Sequence, residues 1–127
     1  MIVIDSSAIL AVVLDEAEAD ACKAALGTDG RLLMSAVTLA EVLIVASGRN
    51  VAEVTAKLIE ELAPEIVTVT EASAMKVAAV HRRWGKGVHP TGLNFGDCFA
   101  YALAKENECA LAYVGNDFAR TDVLSAL

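Results

Sequence analysis

The chain has 127 residues, 17 acidic and 10 basic side chains for a net charge of -7, and is 56% apolar against 21% charged. That length suits one compact domain over residues 1–127, and the apolar share excludes a disordered or low-complexity chain. No apolar run approaches the ~18 to 20 residues of a membrane span, Asp5 stands where a signal peptide wants a base, and three cysteines without C-x-x-C spacing suit neither a disulfide framework nor a zinc finger, so a reducing, cytoplasmic setting is expected.

Residues 2–4 are a short apolar run that reads as a buried strand, and residues 6–14 suit a helix entered through Asp5, Ser6 or Ser7. Residues 16–26 predict an Ala-rich helix closed by Gly27, and residues 31–34 a second strand. Ser35 is placed to cap AVTLAEVLIVAS, a helix ending near Gly48. It is apolar on nearly every side, which predicts burial or a homodimer face. Val51, Val54, Leu58 and Leu62 keep helical spacing up to a stop before Pro64, and the β-branched residues 66–69 predict a third strand. A helix over residues 71–84, a loop over 85–93, a helix over 94–107 and a fourth strand over 109–114 follow, and FARTDVLSAL reads as a short closing helix. Short apolar strands alternating with helices imply right-handed crossovers and an α/β fold, a doubly wound parallel sheet of about four strands flanked by helices.

Within this pattern four acids are isolated. Asp5 is the only charge in residues 1–14, Glu41 the only one in residues 32–48, and Asp97 the only one in residues 87–104, while Asp117 follows the uncharged CALAYVGN. An ionised carboxylate in a core costs several kcal/mol unless it is paired or binds a metal, and few bases are nearby. Asp5, Asp97 and Asp117 each have a helix-capping explanation; Glu41, inside an apolar helix, has none, although Thr38 one turn earlier is placed to hydrogen-bond it. Asp5 and Asp117 stand just past the first and last strands, where an open α/β sheet has its functional crevice. Two carboxylates ~4 Å apart repel by ~4 kcal/mol at an effective dielectric of about 20, so a convergent set should recruit a divalent cation. All-oxygen donors select Mg²⁺ or Mn²⁺ over Zn²⁺. Such a site can hydrolyse a phosphodiester or hold a phosphoryl group for signalling.

Residues 72–96 hold no acid but carry Lys76, Arg82, Arg83 and Lys86, with His81, His89 and Trp84. This stretch is either a solvated helix end or a surface that contacts a phosphate backbone through Arg82, Arg83 and Lys86 and stacks Trp84 on a base. Cys98 reads as a buried small hydrophobe, and His81 and His89 as loop hydrogen-bonding groups.

The segments MIVIDSSAIL, SAVTLAEVL, LNFGDCFAYALAKE and LAYVGNDFARTDV together make the chain resemble the PIN-domain ribonucleases of the VapC toxin type, the toxic partners in bacterial toxin-antitoxin pairs. The resemblance spans residues 1–127 in the family's order. It implies a PIN-like fold, a Mg²⁺- or Mn²⁺-dependent endoribonuclease acting on RNA, and inhibition by a cognate VapB-type antitoxin. The family's acids fall on Asp5, Glu41, Asp97 and Asp117, with Asp5 and Asp97 as the principal metal ligands, and Ser6 or Ser7 matches the small hydroxyl residue that follows the first acid. Glu41 would position or deprotonate the attacking water, or hold a second ion. Asn116 stands where some relatives carry a further acid, which argues against a second tightly held metal. The alternatives are a phosphoacceptor signalling domain and a catalytically silent partner-binding domain. The first wants paired acids after the first strand, an acceptor Asp after the middle strand and a Lys after a later one. Here Asp5 is followed by serines, residues 66–69 by Thr70, and Val114 by Gly115 and Asn116.

Overall fold

The computed structural model describes residues 1–127. The chain runs β1 (Ile2–Ile4), α1 (Ser6–Val13), α2 (Ala19–Leu26), β2 (Leu32–Ser35), α3 (Ala36–Gly48), α4 (Ala52–Leu62), β3 (Glu65–Val67), α5 (Glu71–Trp84), α6 (Phe95–Glu106) and β4 (Ala110–Ala112). All strand pairs are parallel, in the order β3-β2-β1-β4, as the alternation of elements implies. Pairing of Val3 with Leu33 and Leu111, and of Ile4 with Ala112, sets the register.

Successive strand residues face opposite ways, so each short strand feeds two cores. Val3, Leu33 and Leu111 pack under α5 and α6 against Trp84, Leu93, Phe99 and Leu103. Ile4, Met34 and Ala112 face α1 to α4 and meet Ala8, Ile9, Cys22 and Val42. Both faces of the sheet are covered, which is why the strands lack polar alternation. β1 lies between β2 and β4, so the chain reverses its direction across the sheet at β1, and the crevice of such a sheet opens at the C-terminal ends of β1 and β4.

Asp5, Ser35 and Asn94 cap α1, α3 and α6 through their side chains, in line with the sequence reading, and Thr70, not singled out there as a cap, does the same for α5. α4 ends on Ala63 in the left-handed conformation (φ 46°), immediately before Pro64. Three expectations change. The second helix begins at Ala19 rather than at residue 16, because Asp15 is left-handed at φ 51° and the chain must turn before it can wind again. In α4 it is Thr55 that is buried, whereas Val54 is half exposed.

The closing helix does not form. Leu111 instead exchanges backbone hydrogen bonds with Leu124 and Ala126, which extends the β4 edge, and the Thr121 hydroxyl donates to the Phe118 carbonyl. The sheet edge and that local hydroxyl satisfy backbone groups a helix would have used. Helix α3 buries Thr38, Val42 and Ala46 but leaves Leu43, Ile44 and Val45 exposed. All three cysteines are free thiols, and no helix is long and apolar enough to cross a membrane.

Candidate active site

Asp5 leaves the end of β1 as the α1 cap and is 3% exposed. Its Oδ2 accepts from the Ser7 amide (3.1 Å) and the Ser7 hydroxyl (2.6 Å), and that hydroxyl in turn accepts from the Val114 amide (3.0 Å). Ser7 therefore ties the ends of β1 and β4 together. Asp5 Oδ1 is buried with no hydrogen-bond partner. Burial pushes the Asp5 carboxyl up to about 6, against the lowering bonds from Ser7, and the charge of Glu41 raises it further.

Asp97 occupies the first turn of α6, 7% exposed. With Asn94 it forms a reciprocal cap: the Asp97 amide donates to Asn94 Oδ1 (2.9 Å) and the Asn94 amide to Asp97 Oδ2 (3.0 Å). The capping role and the clustering role thus coexist in one side chain. Burial carries its pKa up to about 7; the Asn94 bond opposes this, and the charges of Asp5, Asp117 and Glu41 all add to it. Asp97 is therefore within electrostatic reach of the other three isolated acids.

Glu41, half-buried on α3, accepts a 2.8 Å hydrogen bond from the Ser6 hydroxyl. The Thr38 bond expected from helical spacing is not made; the Thr38 hydroxyl is fully buried and unpartnered. The Glu41 carboxylate lies against Gly96, where any Cβ would collide with it. Asp117 is exposed after β4, and its carbonyl accepts from the Thr91 hydroxyl (2.6 Å), which fastens the loop over residues 85–93 to the loop after β4. With no closing helix behind it, Asp117 caps nothing.

No cation pairs with any of these acids. The ion pairs of the molecule, Arg31–Glu65, Lys76–Glu106, Arg83–Asp122 and Lys105–Asp122, lie elsewhere. Oxygen donors, an orphaned carboxylate oxygen on Asp5 and an Asp97 carboxyl raised by burial and, further, by its neighbours' charge suit a hard divalent ion, which would offset that charge. No three such side chains are gathered tightly enough to close a cage, so an ion here would draw its remaining ligands from water or substrate, as Mg²⁺ commonly does.

The basic flank is only partly available. Trp84, expected to stack on a base, is 9% exposed; its indole donates to the Tyr101 hydroxyl (3.0 Å) and packs edge-on to His89. Its size and the need to satisfy its N–H draw it into the core beneath α6. The Arg83 guanidinium lies over the Trp84 ring and 4.0 Å from Asp122, so its charge is already engaged. Arg82 and Lys86 are exposed and enter no ion pair. The His89 ring accepts from the Thr91 amide, and burial lifts the Cys98 thiol to about 11, as loop and core roles require. Sequence reading missed Gly96, Thr91 and Arg120. Only Gly96 left a local signal, a glycine one position before an isolated acid.

The PIN domain family model matches residues 2–124. Ribonuclease VapC28 of Mycobacterium tuberculosis is 40% identical over 129 residues, covering 98% of this chain and 97% of its own. VapC ribonuclease Mb0640 of Mycobacterium bovis is 37% identical over 124 residues, 95% of each chain. Among solved structures, that of Mycobacterium tuberculosis VapC20, described as a sarcin-ricin loop cleaving toxin, matches with a TM-score of 0.79 at 16% identity over 98% of this chain and 97% of that one. A toxin-antitoxin complex from Klebsiella pneumoniae matches with a TM-score of 0.73 at 17% identity, covering 100% and 98%. These two share the fold.

Proposed function

The chain belongs to the PIN-domain family and is a ribonuclease of the VapC kind, and from that premise we propose that it is the toxin of a toxin-antitoxin pair, cutting RNA phosphodiester bonds with Mg²⁺ or Mn²⁺ at Asp5, Glu41, Asp97 and Asp117. The observation that carries this reading is that buried Asp97 lies within electrostatic reach of Asp5, Asp117 and Glu41 with no cation paired to any of them, while Asp5 Oδ1 is itself buried and unpartnered. Asp5 and Asp97 would hold the ion, with exposed Asp117 reaching it directly or through water. When bound, the ion lowers the pKa of a coordinated water and offsets charge on the phosphate. Glu41, oriented by Ser6, is placed to take the proton from the attacking water as the P–O bond to the leaving oxygen breaks. Ser6 and the exposed Arg82 and Lys86 are candidate substrate contacts; the Arg83 and Trp84 side chains act on substrate only by steadying that flank.

The partners follow from the same surfaces. The acidic crevice suits an arginine or lysine from a VapB-type antitoxin, since a cation there replaces the ion's charge. The exposed Leu43, Ile44 and Val45 suit a homodimer face. A cytoplasmic setting agrees with three free thiols. The test is cleavage of total RNA with Mg²⁺ by wild type and by Asp97→Asn, with 5′-end mapping after induced expression. Metal-dependent cutting by wild type alone is expected; cutting by Asp97→Asn would remove the mechanism.

A further inference from the structure

A polar hollow opens between the loop over residues 85–93 and the segment that follows β4, and its lining includes none of the basic residues at the end of α5. It is an open pocket of about 520 Å³ lined by Pro90, Thr91, Asn116, Asp117, Ala119 and Arg120. Its walls are anchored. On one side Thr91, 8% exposed, donates its hydroxyl to the Asp117 carbonyl. On the other, Phe118 is 2% exposed and packs on Tyr113, while Ala119 and Thr121 close tight turns onto Asn116 and Phe118. Gly115, left-handed at φ 97°, swings this segment out past the end of β4. Asn116, Asp117, Ala119 and Arg120 are thus presented around a buried aromatic pin.

Arg120 is the only cation in that pocket, exposed and within 4 Å of no carboxylate, although Asp117 shares the lining. Resting on the ribonuclease reading above, we propose that Arg120, with the Asn116 amide, forms a subsite for a phosphate of single-stranded RNA next to the one that is cut. A polyanion must pass the acidic cluster to reach the reacting position, so an exposed cation beside it offsets the repulsion where the strand passes. A guanidinium presents a planar fork that matches two phosphate oxygens, and an unpaired one gives up no ion pair on binding. Asn116 adds donors without adding the negative charge that an acid at this position would bring. Arg120 is therefore a positioning residue, holding the strand in register with Asp5, Asp97 and Glu41.

The experiment uses the full chain with a short single-stranded oligoribonucleotide containing one mapped cleavage site. Wild type, Arg120→Lys and Arg120→Gln are compared for kcat and KM in Mg²⁺, and for the salt dependence of binding in Ca²⁺. Arg120→Gln should raise KM about tenfold with kcat nearly unchanged, and should flatten the slope of log K against log salt by about 0.7, the share of one phosphate on a single strand. Arg120→Lys should keep the slope. A methylphosphonate at the adjoining position should cost wild type as much as the substitution does and should cost Arg120→Gln nothing further. Unchanged KM and slope in Arg120→Gln, or a fall confined to kcat, overturns the subsite. Failure of wild type itself to cut RNA overturns the ribonuclease reading and the subsite with it. Equal melting temperatures of the three proteins exclude misfolding, as expected for an exposed side chain.

Discussion

The Glu41 carboxylate rests against Gly96: a Cβ built on that glycine would lie 2.8 Å from Glu41 Cδ and closer still to Oε2. Helices α3 and α6 can approach this closely only because position 96 has no side chain, and the contact places Glu41 beside the turn that carries Asp97. Gly96→Ala should push the carboxylate off its Ser6 hydrogen bond, while alanine favours the helix by up to about 1 kcal/mol. We expect an activity loss of at least about tenfold with little change in melting temperature. A variant that melts as wild type and cuts RNA as fast would show that the placement of Glu41 does not matter.

Asp5 and Asp97 make stability depend on pH in the direction opposite to most carboxylates. Their folded values are raised to about 6 and about 7, against 3.8 as the ordinary value. Below pH 4 both states are protonated and the contribution is fully present. Between pH 4 and 7 the folded chain keeps protons that the unfolded chain releases, so stability falls as pH rises through this window, by a few kcal/mol in all. Urea denaturation of metal-free protein across that range should show the decline. Asp97→Asn should flatten it and stabilise the metal-free protein at neutral pH. Mg²⁺ or Mn²⁺ should raise the melting temperature of wild type and not of the variant. A flat wild-type profile would count against the cluster.

Trp84, Tyr101 and Asp122 form a chain in which the indole donates to the Tyr101 hydroxyl and that hydroxyl donates to Asp122. The Tyr101 bond holds the Asp122 carboxyl below its ordinary value, while burial lifts the tyrosine itself to about 12. Tyr101→Phe leaves the indole N–H buried and unpaired and should cost about 1 to 3 kcal/mol in urea denaturation. It should also loosen Arg83 and Lys105, which both approach Asp122. A loss under about 0.5 kcal/mol would mean that water replaces the hydroxyl.

Ile44, 72% exposed between Leu43 and Val45 on α3, is the apolar centre of the proposed homodimer face. Ile44→Glu should shift sedimentation toward the monomer without lowering the melting temperature of dilute protein, because the side chain is largely exposed on its own chain. A sedimentation coefficient unchanged from wild type would place any self-association on another surface.

The residues that cap helices and the spacing of apolar positions act within one or two turns. The sequence by itself therefore determined α5 over Glu71–Trp84, the Ser35 and Asn94 caps, and the parallel sheet those elements require. It also singled out the four acids, because a carboxylate alone in an apolar stretch carries its cost wherever the stretch folds. Contacts between distant segments were not encoded that way. Spacing pointed Glu41 toward Thr38, three residues away, but its partner is Ser6, 35 residues away, and Ser7 reaches Val114 across 107. Composition offered Trp84 as a surface aromatic, but the core beneath α6 had room for an indole and Tyr101 a partner for its N–H. The last ten residues had helical composition, yet the free edge of β4 competed for their backbone and won. Tertiary structure decided these matters because each depends on which surfaces meet, and a side chain or backbone amide takes the partner that burial leaves unsatisfied.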